Sequence, residues 1–383
     1  KVGLIKNCMF LKRILLENYR NYTSLDLSLS NDVNIFYGNN GQGKTNLLEA
    51  IFYTAIGKSF RNAKDSDVIQ SGKEAFRIDI EICSDITENI SVKYNKNKEK
   101  YIKVNGLYLR KLGHLMGSVL AVIFSPEDMQ LISEGPSVRR KFMDIAISQK
   151  NASYYFDLLQ YQKILVQKNN LLRNIKCGKV KNYGEILSIW NEQLAESGSR
   201  IVYERFRLIK DISEIAEEKH RKIAVESAER EEKLKIFYHS DIPREIIEAE
   251  NRNTIKNELF SMLENRREKE IEREATLFGP HRDDIDLKLD ENDLKRFGSQ
   301  GQKRTAVLAL KIAELELLKK STGRNPIFLL DDVFSELDHQ RQEAFLSEIC
   351  GVQTFISCVE AQSIPFYKNN AAFYEIKNGS AVL

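Results

Sequence analysis

The segment Tyr37–Ala50, YGNNGQGKTNLLEA, decides the fold. An apolar run, Val33–Tyr37, leads into it, and good helix formers follow the loop. In a G-x-x-x-x-G-K-[S/T] loop the backbone N–H groups surround phosphate oxygens, the lysine approaches the outer phosphates and the hydroxyl suits Mg²⁺. The sequence therefore predicts a strand, a phosphate-binding loop and a helix, with ATP and Mg²⁺ as ligands. The residues that match the pattern are Gly38, Asn39, Asn40, Gly41, Gln42, Gly43, Lys44 and Thr45.

Length and composition are those of a globular protein large enough for two domains. The chain has 383 residues, of which 42% are hydrophobic and 30% charged, and its net charge of +3 is too small to indicate a polyanion partner without a local basic patch. Its five cysteines form no C-x-x-C pair, which predicts reduced thiols and no zinc site. With no apolar run of membrane-spanning length, we expect a cytoplasmic protein without a membrane partner. Met9 resembles a natural start, so residues 1–8 are given no function.

The distribution of residue types divides the chain into three parts. Residues 10–132 alternate like strands in several places and contain the turn signal Asn105-Gly106. Residues 133–275 are charge-rich and consist almost entirely of helix formers, whereas strand and turn patterns return over 276–383. We therefore predict the α/β class: one α/β domain built from the first and last parts, with an α-helical domain inserted between them.

Two carboxylates end an apolar run near the C-terminus, Ile327–Asp332. In proteins with a phosphate-binding loop, the acidic residue after such a strand holds Mg²⁺. Asp331 fits this role together with Thr45, and Asp332 is placed to orient or deprotonate the attacking water. The alternative is a strand that runs into an ordinary acidic turn.

A third pattern lies upstream of these carboxylates, in FGSQGQKRTAVLALKIAELELL, Phe297–Leu318. Serine is a favourable helix N-cap, so one interpretation is a well-capped core helix. The second interpretation is an anion site, because donors crowd the N-terminus of the helix. The residues concerned are Ser299, Gln300, Gly301 and Gln302, and the expected core stripe is Leu308, Ile312, Leu315 and Leu318.

The order of these motifs resembles the ABC-type ATPase heads of the SMC class. In that class Ser299–Gln302 corresponds to the signature motif, and Ser335–Asp338 corresponds to the D-loop with Asp338 at the nucleotide. The signature of one subunit there covers the γ-phosphate bound by another subunit. The resemblance therefore implies an ABC-type P-loop head whose site is completed in an ATP-dependent homodimer.

Six segments narrow the resemblance to the RecF family of bacterial repair proteins. In chain order they are ENYRNY, GKSFRNAKDSDVI, FSPEDMQLI, GPSVRRKFMD, LFGPHRDD and LLDDVFSELD. The resemblance implies a weak ATPase of recombinational repair, DNA replication and the response to DNA damage. It further implies binding to gapped or duplex DNA without sequence specificity, and loading of RecA together with RecO and RecR.

Several positions depart from the wider ABC pattern or stay open. Asp332 stands where the catalytic base is usually glutamate, and Ser357 lies where a switch histidine is expected, with a hydroxyl able to bond a γ-phosphate. Gln130 is either the Q-loop glutamine or an ordinary helix-start residue. Arg20 either reaches the nucleotide phosphates or is a surface arginine. His281 belongs either to a structural network or to the edge of a site.

Basic clusters are the candidates for DNA phosphate contacts, although most such runs are only solvated faces. Aromatic residues among them are few, which favours duplex or junction backbone over a stacking platform for single strands. The sequence does not decide between the clusters. They are Lys58, Arg61 and Lys64 after the phosphate-binding loop; Lys93, Lys96, Lys98, Lys100 and Lys103 in a hairpin; and Lys163, Lys168, Arg173, Lys176, Lys179 and Lys181 in the inserted part.

Two other functions share part of this pattern. The nucleotide-binding subunit of an ABC transporter has the same loop and signature, but the missing switch histidine and the long insertion disfavour it. A scaffold protein that binds ATP without hydrolysing it is the other alternative, because aspartate at 332 is one methylene shorter than glutamate.

Overall fold

A computed structural model of the chain describes residues 9–84, 87–224, 232–334, 337–361 and 371–382. The expectation for residues 1–8 lies outside this range, as do Ser335 and Glu336 of the expected D-loop. The strands are β1 (Phe10–Tyr19), β2 (Tyr22–Ser28), β3 (Val33–Tyr37), β4 (Ala75–Cys83), β5 (Thr87–Asn95), β6 (Lys100–Val104), β7 (Leu107–Tyr108), β8 (Ala121–Phe124), β9 (Leu234–His239), β10 (Asp284–Leu289), β11 (Asn292–Asp293), β12 (Ile327–Asp331), β13 (Thr354–Cys358), β14 (Ala371–Lys377) and β15 (Ser380–Val382). The helices are α1 (Lys44–Ile56), α2 (Gln130–Ser133), α3 (Pro136–Lys150), α4 (Ala152–Lys176), α5 (Gly184–Ile223), α6 (Arg244–Glu248), α7 (Arg252–Asn265), α8 (Arg267–Arg273), α9 (Leu294–Phe297), α10 (Gln300–Thr322) and α11 (His339–Glu348).

The central sheet has the order β15-β14-β3-β13-β12-β8, and its strands from β14 to β8 are parallel. Every residue of β12 and β13 is buried, as expected for strands covered on both faces. Because parallel strands end at the same edge, the sheet gathers the residues that follow β3, β8, β12 and β13. The buried parallel strand predicted from Ile327–Leu330 is confirmed.

The two faces of the central sheet pack into different cores. Phe328 and Leu330 face a core shared with the helices of the insertion and with α10. Ile327 and Leu329 face a second core, built from α1 and the antiparallel sheet β2-β1-β4-β5-β6-β7. The alternating patterns predicted as strands in the first part of the chain form β2, β4 and β5 of this antiparallel sheet.

The inserted part is mainly helical, and α5 with its 40 residues is its longest helix. The prediction that residues 133–275 form helices is wrong at β9, which pairs antiparallel with β10 in a third, three-stranded sheet. Its sequence, LKIFYH, alternates buried Leu234 and Ile236 with more exposed residues, a period that favours a strand over a helix. The boundaries at residues 133 and 275 stay a prediction, since the helices share a core with the central sheet. In the described ranges, no helix is both long and apolar enough to cross a membrane.

Candidate nucleotide-binding site

The phosphate-binding loop connects β3 to α1, and its shape depends on glycine at two positions. Gly38 has φ 140° and Gly43 has φ 120°, in the region that side chains disfavour. A Cβ atom at Gly38 would lie 2.5 Å from the carbonyl oxygen of Ile376, and one at Gly43 would lie 2.7 Å from the Asn21 side chain. The loop therefore passes too close to neighbouring chain for any larger residue, and it leads directly into the N-terminus of α1, where anions bind favourably.

Lys44, the first residue of α1, folds back across the loop. Its ammonium group donates hydrogen bonds to the carbonyl oxygens of Gly38 (2.6 Å) and Asn39 (3.0 Å). Burial lowers the pKa of Lys44, while the negative charges of Asp332 and Asp331 act in the opposite direction. The ammonium thus lies between the loop and the carboxylates, as required of a cation that faces the outer phosphates.

Thr45 and Asp331, the two expected Mg²⁺ ligands, are in direct contact. The Thr45 hydroxyl donates a hydrogen bond of 2.8 Å to Oδ1 of Asp331, although 286 positions separate them in the chain. Burial raises the pKa of Asp331, and hydrogen bonds from Ser357 and Thr45 oppose that shift. A hydroxyl and a carboxylate oxygen are hard ligands of the type Mg²⁺ takes in nucleotide sites, so these residues fit the ion.

Asp332 follows directly after β12 and adopts a left-handed conformation, with φ 50°. Its side chain is exposed, and its N–H group donates to Ser357 Oγ at 3.0 Å. The Ser357 hydroxyl in turn donates to Oδ1 of Asp331 at 2.7 Å. A hydroxyl has one proton to donate, so Ser357 here orients Asp331 and does not have that proton available for a γ-phosphate.

Arg20 and Gln130 occupy different surroundings. The guanidinium of Arg20 donates to both carboxylate oxygens of Glu49 on α1, at 2.8 and 2.7 Å, and to the carbonyl oxygen of Asp67. It therefore anchors α1 in this structure, and its role at the phosphates stays a prediction. Gln130 is the exposed first residue of α2, just beyond the carboxyl end of β8. That strand is the neighbour of β12, so Gln130 lies on the site's side of the sheet, and its Q-loop role also stays a prediction.

Ser299 caps α10, as the sequence indicates. Its Oγ accepts from the N–H of Gln302 (3.2 Å), and the Gln302 side chain accepts from the N–H of Ser299 (2.8 Å). Ser299 and Gln300 are exposed, and the expected core stripe of α10 is buried. Within the described ranges, no hydrogen bond joins residues 299–302 to the loop of residues 38–45. Asp338 caps α11 by accepting from the N–H of Arg341 at 2.9 Å.

A buried lysine on α10, which was not predicted from the sequence, connects two parts of the candidate site. Lys311 lies 3.1 Å from Asp128 and 3.3 Å from Glu314, and it is almost fully buried. Asp128 belongs to the turn that precedes Gln130 and accepts from the N–H of Ser125 at 2.8 Å. The ion pair therefore joins the Gln130 turn to the helix that begins at the signature. The sequence signal for this ion pair was a lysine placed among the apolar residues of a helix expected to be buried.

Some of the candidate DNA-contacting residues are bound by acidic or carbonyl groups of the chain, and others are exposed. Lys100 is bound by Asp65 (2.6 Å) and the carbonyl oxygen of Gly57 (2.8 Å), and Lys176 by Glu274 (2.8 Å). Including Lys168 among the phosphate-contacting candidates is wrong, because its ammonium is fully buried against Glu270 at 2.6 Å. Lys96 and Arg61 are exposed and lie 2.8 Å from Glu74 and 3.9 Å from Glu127. The other exposed members are Lys58, Lys64, Lys93, Lys98, Lys163, Arg173, Lys179 and Lys181; of these, Lys58 and Lys64 line a cavity of about 600 Å³.

His281 belongs to a partly buried hydrogen-bond network. Its Nδ1 lies 2.6 Å from the Tyr161 hydroxyl, and its Nε2 lies 3.2 Å from the carbonyl oxygen of Thr276. Burial lowers the pKa of His281 to about 4. The structural interpretation of this residue therefore agrees with its contacts.

Known proteins resemble this chain in overall sequence and fold. Residues 10–380 match the family described as the RecF/RecN/SMC N terminal domain. A protein of Acetivibrio thermocellus named DNA replication and repair protein RecF is 42% identical over 355 residues, which cover 92% of this chain and 94% of that protein. The chain belongs to the RecF family. A second RecF protein, from Ruminiclostridium cellulolyticum, is 40% identical over 375 residues and covers 97% of this chain and 99% of its own length.

Solved structures agree with this membership. One described as the recombination mediator protein RecF-ATPrS in the RecFOR pathway superposes with a TM-score of 0.89, at 36% identity and 98% coverage of both chains. An Smc head domain from Pyrococcus furiosus superposes with a TM-score of 0.54 at 13% identity, covering 97% of this chain and 95% of its own, which shows the shared fold alone. The predicted ABC-type head of the SMC class is therefore confirmed, and the RecF resemblance is confirmed over the transporter alternative.

Proposed function

We propose that this chain is an ATP-dependent DNA-binding protein of recombinational repair and replication, with weak ATPase activity. The contact that carries the proposal is the 2.8 Å hydrogen bond between Thr45 and Asp331, within a chain that is 42% identical to a RecF protein. This contact brings the phosphate-binding loop and the acidic strand end together, as a Mg²⁺-nucleotide site requires.

Each residue of the site has a different role at the nucleotide. The loop amides and Lys44 bind the phosphates and offset their charge. Thr45 and Asp331 would hold Mg²⁺, which neutralises charge on the outer phosphates. Ser357 keeps Asp331 in position, and Asp332 accepts the proton of the attacking water. The side chain of Asp332 is exposed and is not enclosed as the general base of a fast enzyme usually is. This exposure supports slow turnover of ATP.

We further propose that a second copy of the chain completes the site. Ser299 and Gln300 are exposed at the start of α10. Phe297, just before them, has 71% of its surface exposed. An exposed large apolar residue beside an exposed anion-binding helix start suits a contact that forms only in the dimer. The signature of each copy would then cover the γ-phosphate in the other.

DNA and the RecO and RecR proteins are the proposed partners, with RecA loading as the outcome. A relative described as acting in the RecFOR pathway supports RecO and RecR. The exposed lysines support contacts to the DNA backbone without sequence readout. Because chromosomal DNA lies there, we place the activity in the cytoplasm.

Mixing two inactive variants tests the shared site. Lys44→Ala removes the phosphate-binding charge, and Ser299→Arg places a bulky cation over the partner's γ-phosphate. Each homodimer then has two defective sites, whereas a mixed dimer has one intact site. Ser299→Ala, which removes the N-cap hydroxyl without adding a bulky cation, is the matched control because loss of capping alone weakens α10.

We expect ATP-dependent association or phosphate release to return when the two variants are mixed, and to rise further with DNA. If neither returns, the site is completed within one chain and the two-copy proposal is wrong. If the unmodified chain binds ATP but never releases phosphate, with or without DNA, it is a scaffold that only binds ATP.

A further inference from the structure

Two exposed tyrosines lie side by side on the outer face of the antiparallel sheet. Tyr101 on β6 is 41% exposed and Tyr108 on β7 is 63% exposed. Their ring centroids are 6.2 Å apart and their planes are inclined by 68°. The turn at Asn105–Gly106 returns β7 along β6 and pairs Lys103 with Tyr108. Two large rings in contact with each other and with solvent form an aromatic surface that the fold does not use for its own core.

Cationic side chains lie beside this aromatic pair. The ammonium of Lys103 lies 4.4 Å from the centroid of the Tyr108 ring. In the register of the sheet, Tyr101 lies opposite Lys93, which lies opposite Arg77. Lys93 is exposed, and it makes no ion pair within the described residues.

Two acidic residues near this face have partners of their own. Asp79, in the same row as Lys103, is paired with Arg77 at 2.7 Å. Glu99, at the turn between β5 and β6, accepts a hydrogen bond from the side chain of Asn95 at 2.7 Å. The hydrogen bond to Glu99 does not cancel the charge of a carboxylate, and the exposed Glu17 lies opposite Arg77 in the register. Lys93 and Lys103 make no ion pair among the described residues, so these two cations are the ones that this face offers to phosphates.

We propose that this tyrosine–lysine face, formed by Lys93, Tyr101, Lys103 and Tyr108, binds unpaired nucleotides of DNA. Bases stack on the two tyrosine rings, and the two lysines contact the phosphates beside them. Stacking on aromatic side chains tolerates any sequence because every base has a π face. In uninterrupted duplex the bases are already stacked on each other, so the rings contribute only where the strand is unpaired.

This inference rests on the proposed DNA binding and adds a substrate preference to it. The exposed lysines elsewhere on the chain would contact duplex backbone alike in gapped and continuous DNA. The tyrosine–lysine face would distinguish gapped DNA from a continuous duplex, because only gapped DNA presents unpaired nucleotides to it. A polar, aromatic surface with two open cations suits this ligand better than an apolar protein segment.

The test compares the alanine pair Tyr101→Ala, Tyr108→Ala with the phenylalanine pair Tyr101→Phe, Tyr108→Phe. The probes are fluorescein-labelled oligothymidylate, a blunt duplex and a duplex with a single-stranded gap, measured by anisotropy with ATP and Mg²⁺. We expect the alanine pair to weaken binding of oligothymidylate and gapped DNA by about tenfold to a hundredfold, with blunt-duplex binding unchanged. The phenylalanine pair should match the unmodified protein, because its rings remain.

Lys103→Gln provides an independent readout. Losing one phosphate contact should flatten the dependence of log affinity on log salt by about 0.7 for the oligothymidylate. Thermal unfolding and ATP-dependent association of every variant should equal those of the unmodified protein, since these side chains lie on the surface.

Three results would overturn the inference. The first is an alanine pair that binds oligothymidylate as tightly as the unmodified protein. The second is an alanine pair that loses duplex and single-strand binding equally, which would remove the preference. The third is unchanged DNA binding with altered association to another protein, which would make the face a protein contact. If the unmodified chain binds none of the three probes, the proposed DNA-binding function itself fails, and the inference fails with it.

Discussion

The hydroxyl of Ser357 donates a 2.7 Å hydrogen bond to Oδ1 of Asp331, the same oxygen that accepts from Thr45. Ser357 lies at the end of β13, next to β12, so the parallel register of the two strands sets this contact. The position where the ABC pattern has a histidine facing the γ-phosphate thus carries a residue that holds the acidic Mg²⁺ ligand. We infer that the site relies on a fixed Asp331 where related sites use a charged γ-phosphate contact.

Ser357→Ala should therefore weaken the Mg²⁺ dependence of ATP binding. Losing a hydrogen bond to a metal ligand typically costs about tenfold to a hundredfold in metal affinity. Titration of Mg²⁺ against a fluorescent ATP analogue measures the effect. Ser347→Ala is the control, because that hydroxyl donates only to the Ala344 carbonyl oxygen on its own helix. Equal Mg²⁺ dependence in both variants would remove Ser357 from the site.

Asp332→Asn should retain ATP and Mg²⁺ but slow hydrolysis by about a hundredfold or more, because an amide cannot accept the proton of water. The ATP-bound dimer should then accumulate, and light scattering would detect it. Asp241→Asn makes the same chemical change at an exposed position on the inserted part and should behave like the unmodified protein. Normal phosphate release from Asp332→Asn would assign the proton transfer to another group.

Lys179 and Lys181 are exposed lysines at the end of the basic run, in which Lys168 and Lys176 are paired. Changing both to glutamine should reduce the slope of log duplex affinity against log salt by about 2 if both contact phosphates. Lys319→Gln with Lys320→Gln, at the end of α10, is a control of equal charge. If both double variants and the unmodified protein show the same slope, Lys179 and Lys181 do not contact DNA and are only a solvated face.

His281 should make stability depend on pH. Its folded pKa of about 4 lies below the ordinary value of 6.5. Between these values the unfolded chain binds a proton that the folded chain does not, so the free energy of unfolding falls as pH falls through this window. At pH 5 the loss relative to pH 7 is about 2 kcal/mol for this one group.

The measurement is urea unfolding at pH 7 and pH 5. His281→Gln keeps a side chain that can bond Tyr161 and should lose about 2 kcal/mol less than the unmodified protein over this interval. His114→Gln, at an exposed histidine, should follow the unmodified protein. Identical losses in all three proteins would show that His281 does not govern this pH dependence.

The sequence predicted the parts of the site that rest on local pattern. The loop of residues 38–45, the strand ending at Asp331 and the capped helix start at Ser299 each follow from a short run whose geometry its own residues dictate. The proximity of Thr45 and Asp331 also followed, because the loop before Thr45 and the carboxylate of Asp331 both lie at the carboxyl ends of parallel strands.

What the sequence did not predict depends on partners distant in the chain. Lys168 lies in a basic run and looks exposed until α8 brings Glu270 against it. The strand β9 is recognisable only when β10 supplies its partner. Tyr101 and Tyr108 are separated in sequence, and the register of β6 and β7 makes them neighbours. In each case the deciding interaction is a long-range or cross-strand contact that composition does not contain.

The central sheet has a consequence for how the chain acquires its structure. Strand β3 lies between β13 and β14, so its hydrogen-bonding neighbours are synthesised long after it. The antiparallel strands β1, β2, β4 and β5 pair with close neighbours in sequence and are complete much earlier. Contacts of such large sequence separation slow folding. We therefore expect the nucleotide loop to remain without its sheet until translation has passed β13 and β14, so that ATP binding reports the synthesis of these two strands.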